Sequence, residues 1–429
     1  MEVLGENIVE ESTTRFQSQH EHIDDETELC SYVLTSFPFI LENIFRCLTA
    51  KRLNTCSRVC KVWHAAAKKV KHSRKAVVWN YFKEENDKNG VKNIVSDVKR
   101  FIKNLPVEPK FVLLFCSTNL FDEPVKVHQS NGRRSRAAKR ERIDIVEYLN
   151  RQLPEACQLC AISADGVIGT SSNLKQTEEM EGVLAMSCVC FAEMNQVDIT
   201  QMYLDSDQGN VLACYWNDTA KENEFDFSLI PRDRLLKMIT FLCDEPFCSQ
   251  ELSFSLYKMY NHPLVVGGFV DNVVCPPAWK NNHTMDSPFL CCVGFGGENL
   301  QVASVILKDD VKNKDEVAKV IKTLKDVGLP EENSLAFMFA CIGRGQNHYQ
   351  EPDVESKIFH KYFPKTPLLG FFGNGEVGFQ YPLNPVPSSD FDKAVVQNHF
   401  KTSQTHYMNT HPPKLYHAYT TVFSLMSFS

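Results

Sequence analysis

The sequence predicts an α+β chain, a small all-helical module followed by two related mixed α/β lobes. Three observations carry this: helical spacing of apolar residues between Pro38 and Val70, short apolar runs alternating with helical stretches after about residue 105, and a block that occurs twice. A length of 429 residues allows two or three domains, and 43% hydrophobic with 23% charged residues is the composition of a globular chain.

The first thirty residues hold nine acids against one arginine and few core formers. Their apolar content is too low to offset the entropy of ordering them, so they read as a disordered acidic tail. The whole chain has a formal charge of −7, so the chain beyond Cys30 is close to neutral. That balance argues against nucleic acid as the main partner. No run of apolar residues is long enough for a membrane span, and the acidic start lacks the pattern of a secretory signal. The sixteen cysteines accordingly read as reduced and mostly buried. Cys157 with Cys160, and Cys188 with Cys190, sit in apolar runs without zinc-ribbon spacing, so neither a metal nor any other cofactor is expected.

From Tyr32 the pattern changes. Pro38 marks a helix start, and Leu41, Ile44, Phe45 and Leu48 recur at helical spacing along one stripe. After a break at 49–52, Leu53, Cys56, Val59, Cys60 and Trp63 continue at helical spacing, with a third helical run toward Val70. Between Arg46 and Lys83 there are eleven Lys or Arg and no acid, a charge that steers an acidic protein toward this segment unless it is merely solvated.

In the remainder, Phe111–Phe115 and Leu335–Phe339 read as strands, Arg232–Leu242 as a helix, and Phe289–Leu307 as a hairpin interrupted at Gly294–Gly297. The duplicated block runs YLNRQLPEACQLCAISADGVIG and then IFHKYFPKTPLLGFFGNGEVG, each preceded by a strand ending in cysteine, Cys116 or Cys341. Its order is strand, helix, strand, Gly-rich turn. The first copy alone carries a basic insert, Arg133, Arg134, Arg136, Lys139, Arg140 and Arg142, which reads as a nuclear-import signal or a solvated loop.

Two turns gather chemistry. Phe339–Gly345 presents Cys341 and Arg344 between glycines, and Gly370–Gly378 presents Asn374 and Glu376. If the strands are neighbours the turns converge, offering a thiol, a guanidinium, an amide and a carboxylate to a zwitterionic small molecule or a peptide. Arg344 would lower the Cys341 pKa in a redox sensor. The plainer reading is a buried thiol with Arg344 and Glu376 paired. His348, His360 and His417 are available to a cysteine hydrolase, but no local signature fixes one.

The segment FPFILENIFRCLTAKRLNTCSRVCKVWHAAAKK resembles an F-box, and the two-copy region, with CIGRG and GFFGNGEVG, resembles FIST domains. After the acidic tail at 1–30, which has no counterpart in the family, that resemblance implies an F-box at 31–80, an N-terminal FIST domain at 105–287 and a C-terminal one at 288–429. It implies the substrate-recognition subunit of an SKP-cullin-F-box ubiquitin ligase, non-catalytic and acting in cytoplasm and nucleus. Its partners would be an acidic SKP-type adaptor, through it a cullin-RING ligase, and protein substrates marked for proteasomal degradation, with no nucleic acid or membrane. Pro38, Leu41, Ile44, Phe45, Leu48, Leu53, Val59 and Trp63 match the motif's apolar positions, as adaptor contacts or motif core. Cys341, Arg344, Asn374 and Glu376 would take substrate or a regulating ligand. The alternative is an intracellular small-ligand or redox sensor. Phe37 and Thr49 depart from the motif, where leucine and a second proline are usual.

Overall fold

The computed structural model describes residues 29, 30, 32–34, 36–84, 90–128, 140–216, 235–245, 249–275, 288–382 and 413–428. The acidic tail to residue 28 and the basic positions Arg133, Arg134, Arg136 and Lys139 lie outside them. The chain divides into two compact units, Met1–Lys75 with Lys103–Glu108, and Ala76–Ile102 with Pro109–Ser429. Among the described residues no helix is long and apolar enough to cross a membrane.

The first unit is helical. Helix α1 (Pro38–Arg46) starts on its proline, where the missing N–H costs nothing. Helix α2 (Ala50–Cys56) is capped by Thr49, whose side chain accepts from the Arg52 N–H, and α3 (Lys61–His72) comes next. The helical spacing from Leu53 to Trp63 is thus broken at 57–60, a turn between α2 and α3. Leu41, Phe45, Leu53, Ala66, Ala67 and Val70 form the core, with Trp63 set edge-on to Phe45 at 5.4 Å. Arg74 ties the unit together: its guanidinium donates to the Phe45, Leu48 and Pro106 carbonyls, so it satisfies the exposed end of α1 and holds the 103–108 segment. The Ala50 N–H bonds the Leu105 carbonyl beside it.

The second unit opens with β1 (Val77–Lys83), α4 (Gly90–Lys103), β2 (Phe111–Ser117), α5 (Thr118–Phe121), the ribbon β3 (Val125–His128) and β4 (Arg140–Ile143), and α6 (Ile145–Asn150). It continues through β5 (Gln158–Ala164), β6 (Gly166–Thr170), β7 (Thr177–Glu181), β8 (Ala185–Phe191), β9 (Asp198–Leu204) and α7 (Ser206–Trp216). Next come β10 (Leu236–Cys243), α8 (Ser249–Met259), β11 (Leu264–Phe269), β12 (Asn272–Val274), β13 (Leu290–Gly296), β14 (Leu300–Leu307) and α9 (Lys314–Asp326). The last are β15 (Ser334–Cys341), α10 (Gln346–Tyr349), α11 (Val354–Tyr362), β16 (Leu368–Gly373), β17 (Glu376–Val377), β18 (Tyr416–His417) and β19 (Thr421–Phe428).

Three sheets share one plan. Their orders are β1-β8-β2-β5-β12, β9-β13-β10-β11-β17-β18 and β14-β19-β15-β16-β6-β7. Each is centred on a parallel pair whose first strand carries a cysteine in its ladder: Cys116 opposite Ser163, Cys243 opposite Phe269, Cys341 opposite Gly373. The duplicated block is the first and third of these pairs, and a third copy lies between them, unseen in the sequence because its turns lack the shared glycine pattern. After each parallel pair the chain crosses to a neighbouring sheet: β6 pairs with β16, β12 with β5 and β17 with β11. Strands from either side of residue 288 therefore lie together in the second and third sheets, while the first is built wholly from strands before it.

Alternation divides each central strand between two faces. Phe337 and Phe339 join Phe115, Phe191, Phe295 and Phe371 in a core common to all three sheets, with Phe115 and Phe371 rings 5.8 Å apart. Ala336, Met338 and Ala340 face the other way, against Val317, Ile321, Leu324 and Phe359 of α9 and α11.

Two sequence expectations are corrected here. The 232–242 run is not a helix: Leu236–Cys243 is a strand held between β13 and β11. Nearly all of it is buried, and it is apolar but for Lys237 and Thr240; such a run shows no period that separates helix from strand. Nor is 289–307 a hairpin. Both edges of β13 are occupied by β9 and β10, so β14 pairs with β19 in another sheet.

Close approach of β15 and β16 requires Gly370, where a Cβ would stand 1.8 Å from the Met338 carbonyl oxygen. Gly370→Ala is expected to cost about 3 kcal/mol or more by forcing that ladder apart, seen as a lowered thermal midpoint.

Candidate functional site

In the helical unit the motif residues separate by depth. Leu41, Phe45 and Leu53 are buried, Leu48 and Trp63 are partly buried against them, and Pro38, Ile44 and Val59 are exposed. The sequence reading missed Ile40 and Val62, also exposed, together with Phe39 at 72%. Phe37, Ile40 and Ile44 stand at i, i+3 and i+7, a second apolar stripe on α1 turned away from the one that fills the core. The signal was present: α1 is apolar on too many sides for one core to cover. Thr49, one of the two departures from the motif, acts as the α2 cap.

In the sheet unit the two Gly-rich turns converge as expected. Cys341 is paired with Gly373 across the parallel ladder, and the Ile342 N–H bonds the Gly373 carbonyl at 2.9 Å. Their side chains do not act together. Arg344 is 1% exposed and belongs to a different partner. Its Nε and Nη2 donate to Glu355 Oε1 at 2.8 and 2.7 Å, and Nη1 donates to the Lys308 carbonyl at 3.1 Å. Tyr349 shares both, hydrogen-bonded to Arg344 and donating to Glu355 Oε1 at 2.7 Å. Burial works against the Arg344 charge, and Glu355 and Tyr349 more than offset it, so its pKa rises. This guanidinium is a buried structural cation. The pairing with Glu376 expected from sequence is replaced by one with Glu355, which α11 brings round from eleven residues on.

Cys341 and Glu376 do lie together. Burial raises the Cys341 pKa; the Gly343 N–H lowers it and the Glu376 charge raises it further. The idea that Arg344 activates this thiol is therefore corrected: its charged neighbour is a carboxylate. Glu376 is also buried, and burial lifts its pKa to about 7 against hydrogen bonds from Thr420, whose N–H and hydroxyl donate at 3.0 and 2.7 Å. The other oxygen, Oε1, is buried without a hydrogen-bond partner. Above them Ile342 and Tyr419 are exposed, with the Tyr419 ring over Gly343, and Asn374 is exposed at the adjoining turn. Tyr419 has φ 59, a costly conformation for a bulky residue, and the next residue is the Thr420 that holds Glu376. His417 bonds the Gly378 and Lys414 carbonyls, His348 the Val311 carbonyl. Neither is bonded to the thiol.

Strand β7 supplies carboxylates the sequence reading overlooked. Glu181 accepts from the Gln346 N–H at 3.0 Å, fixing the chain after the CIGRG turn. Glu179 accepts from the Ser356 N–H at 2.8 Å and so caps α11, while its own N–H bonds Asp353 at 2.7 Å. Burial first, then the Glu355 charge, lifts Glu179 to a pKa of about 8. Among the described residues no three His, Cys, Asp or Glu are grouped to hold a metal.

Residues 39–72 match the F-box-like family and residues 298–379 the FIST C domain family. The chain thus carries one segment similar to F-box-like modules and one similar to FIST C domains. It is similar along its length to F-box only protein 22: the Homo sapiens protein is 25% identical over 402 residues, covering 92% of this chain and 94% of the relative. The Pongo abelii protein matches equally, 25% over 401 residues with the same coverage. A crystal structure of a cyanuric acid hydrolase from A. caulinodans aligns at 7% identity over 82% of this chain and 99% of that one, with a TM-score of 0.34, too low to bear on function.

Glu179 makes stability pH-dependent. Its pKa is 4.5 when exposed and about 8 when folded, so between those values the folded chain keeps a proton that the unfolded chain has released. Stability therefore falls as pH rises through this window. Glu179→Gln is expected to shrink the fall by about 2–4 kcal/mol, measured by urea unfolding at about pH 5 and about pH 8; Glu376 leaves a remainder of the same sign. Glu355→Ala strands the Arg344 charge and is expected to cost about 3–5 kcal/mol in the same assay.

Proposed function

We propose that the chain is the substrate-recognition subunit of an SKP-cullin-F-box ubiquitin ligase. The observation that carries this reading is the second apolar stripe of α1, exposed within the segment that matches the F-box-like family. Basic residues succeed it in the chain, with no acid from Arg46 to Lys83. Apolar anchors with a basic surround fit an acidic adaptor: the anchors supply affinity once desolvated, and the charge speeds encounter. Phe37, Ile40, Ile44 and Val59 make the contact, while Leu41, Phe45, Leu53 and Trp63 keep the helices in place.

In this reading the chain performs no bond chemistry. Ile342, Asn374 and Tyr419, around Cys341 and Glu376, receive the protein substrate, whose lysine then reacts as though intramolecularly with ubiquitin carried by the rest of the ligase. Ubiquitination leads to degradation, in cytoplasm and nucleus. A second reading, a small-ligand sensor, is favoured by the buried, unpartnered Glu376 Oε1, which a bound amine or hydroxyl would satisfy.

The full chain is expected to co-purify with an SKP-type adaptor, and Ile44→Asp to abolish this with an unchanged melting midpoint, because Ile44 is exposed. Trp63→Ala is the poorer probe, since loss of packing on Phe45 costs about 3 kcal/mol in the helical unit itself. A folded wild type that fails to bind the adaptor ends the receptor reading. The sensor reading requires a ligand-induced thermal shift that Glu376→Gln removes.

A further inference from the structure

The core of the sheet unit holds two thiols in contact across different sheets. Cys160 lies on β5 of the first sheet and Cys291 on β13 of the second, both fully buried, with Sγ atoms 3.1 Å apart. A disulfide bond is about 2.05 Å long, so roughly 1 Å of movement separates contact from bond. Two further thiol pairs among the described residues of this unit each lie within a single strand. Cys188 and Cys190 are neighbours on one face of a single strand, and Cys291 and Cys292 are adjacent in sequence. A bond within either pair would join nothing that the backbone does not already join.

We propose that Cys160 and Cys291 form a reversible redox cross-link, made by exchange with an oxidised low-molecular-weight thiol, that staples the first sheet to the second. The backbone link between these two sheets is slight. Besides the direct run from β8 into β9 through residues 192–197, it consists of β12, a three-residue strand at the edge of the first sheet, which comes after β11 of the second sheet and pairs with β5. Short edge strands open first. Continuing the β12–β5 register from Val274 opposite Ala161 places Cys275 opposite Cys160. Opening of this strand uncovers the pair. Tyr203, whose hydroxyl meets the Leu159 and Val274 carbonyls, bridges the same seam from β9.

The exchange balances. In the opened form the Cys160 thiol loses its proton to solvent and its sulfur attacks the small disulfide, forming a mixed disulfide and releasing one thiolate. Cys291 then loses its proton and attacks the Cys160 sulfur, releasing the second. The released thiolates take up the two protons, so two protein thiols are oxidised by two electrons and one small disulfide is reduced to two thiols. Excess reduced thiol reverses both steps. The cross-link closes a loop of about 130 residues in the unfolded chain, which raises folded stability provided the native geometry accepts it.

The test uses the full chain, folded and reduced, held a few degrees below its melting midpoint with glutathione disulfide. After free thiols are blocked, the chain is digested and the peptides mapped by mass. The expected product is a peptide pair joined through Cys160 and Cys291, about 2 Da lighter than the sum of its parts, and a melting midpoint several degrees higher that returns on reduction. In Cys291→Ala neither the linked pair nor the shift should form. Should that variant not fold, the wild-type peptide map decides alone. Two results overturn the proposal: both thiols recovered blocked and unlinked while exposed Cys47 and Cys60 carry glutathione, or Cys160 linked to a cysteine other than Cys291.

Discussion

The Thr170 hydroxyl accepts from the Leu368 N–H at 2.9 Å and donates to the Leu368 carbonyl at 3.0 Å, across 198 residues of chain. This junction stands for a constraint on the whole sheet unit: each parallel strand pair sends its chain onward into a neighbouring sheet. The exchange runs in a ring, from the first sheet to the third by β6, from the third to the second by β17, and from the second back to the first by β12. No sheet is complete without residues that belong, by sequence, to another. The common phenylalanine core can form only once all three are closed around it.

The candidate site depends on that arrangement. The CIGRG turn and the Glu376 turn are carried by β15 and β16, but the fixation of the surrounding chain comes from elsewhere. Glu179 and Glu181 reach in from β7, which β6 brings to the third sheet, and cap α11 and the residues after Gly345. Thr420, entering β19, clamps Glu376. The turns present a thiol and a carboxylate because three separate stretches of chain hold them, with Arg344 consumed as the internal cation paired with buried Glu355.

Much of this was legible from residues alone. Pro38 and the spacing of Leu41, Phe45 and Leu48 located α1, and the two cysteine-ended strands located the first and third parallel pairs. The motifs placed an F-box-like segment and a FIST C segment where the family matches fall. The failures have physical causes. The strand at Leu236–Cys243 is apolar on both faces, so it carries no period to read. Phe289–Leu307 lies as two neighbouring strands in sequence, but pairing depends on which edges are already taken. Arg344 was matched to Glu376 of the other Gly-rich turn, whereas its partner Glu355 sits in the first turn of a helix whose rotation no local pattern discloses. Of the exposed stripe only Ile44 was singled out as a contact; Phe37 and Ile40 were not, because an apolar residue reads alike whether it fills a core or awaits a partner.

The ring of exchanged strands also bears on how the protein comes to be folded. Contacts between residues some two hundred positions apart make for a high contact order, and chains of that kind fold slowly because loop closure precedes the reward. As the chain is made, β5 emerges long before β12, β6 before β16 and β11 before β17, the strands that cover their edges. Until those strands arrive, the edges they cover are open to other chains. Unpaired strand edges during synthesis are the cost that this topology sets.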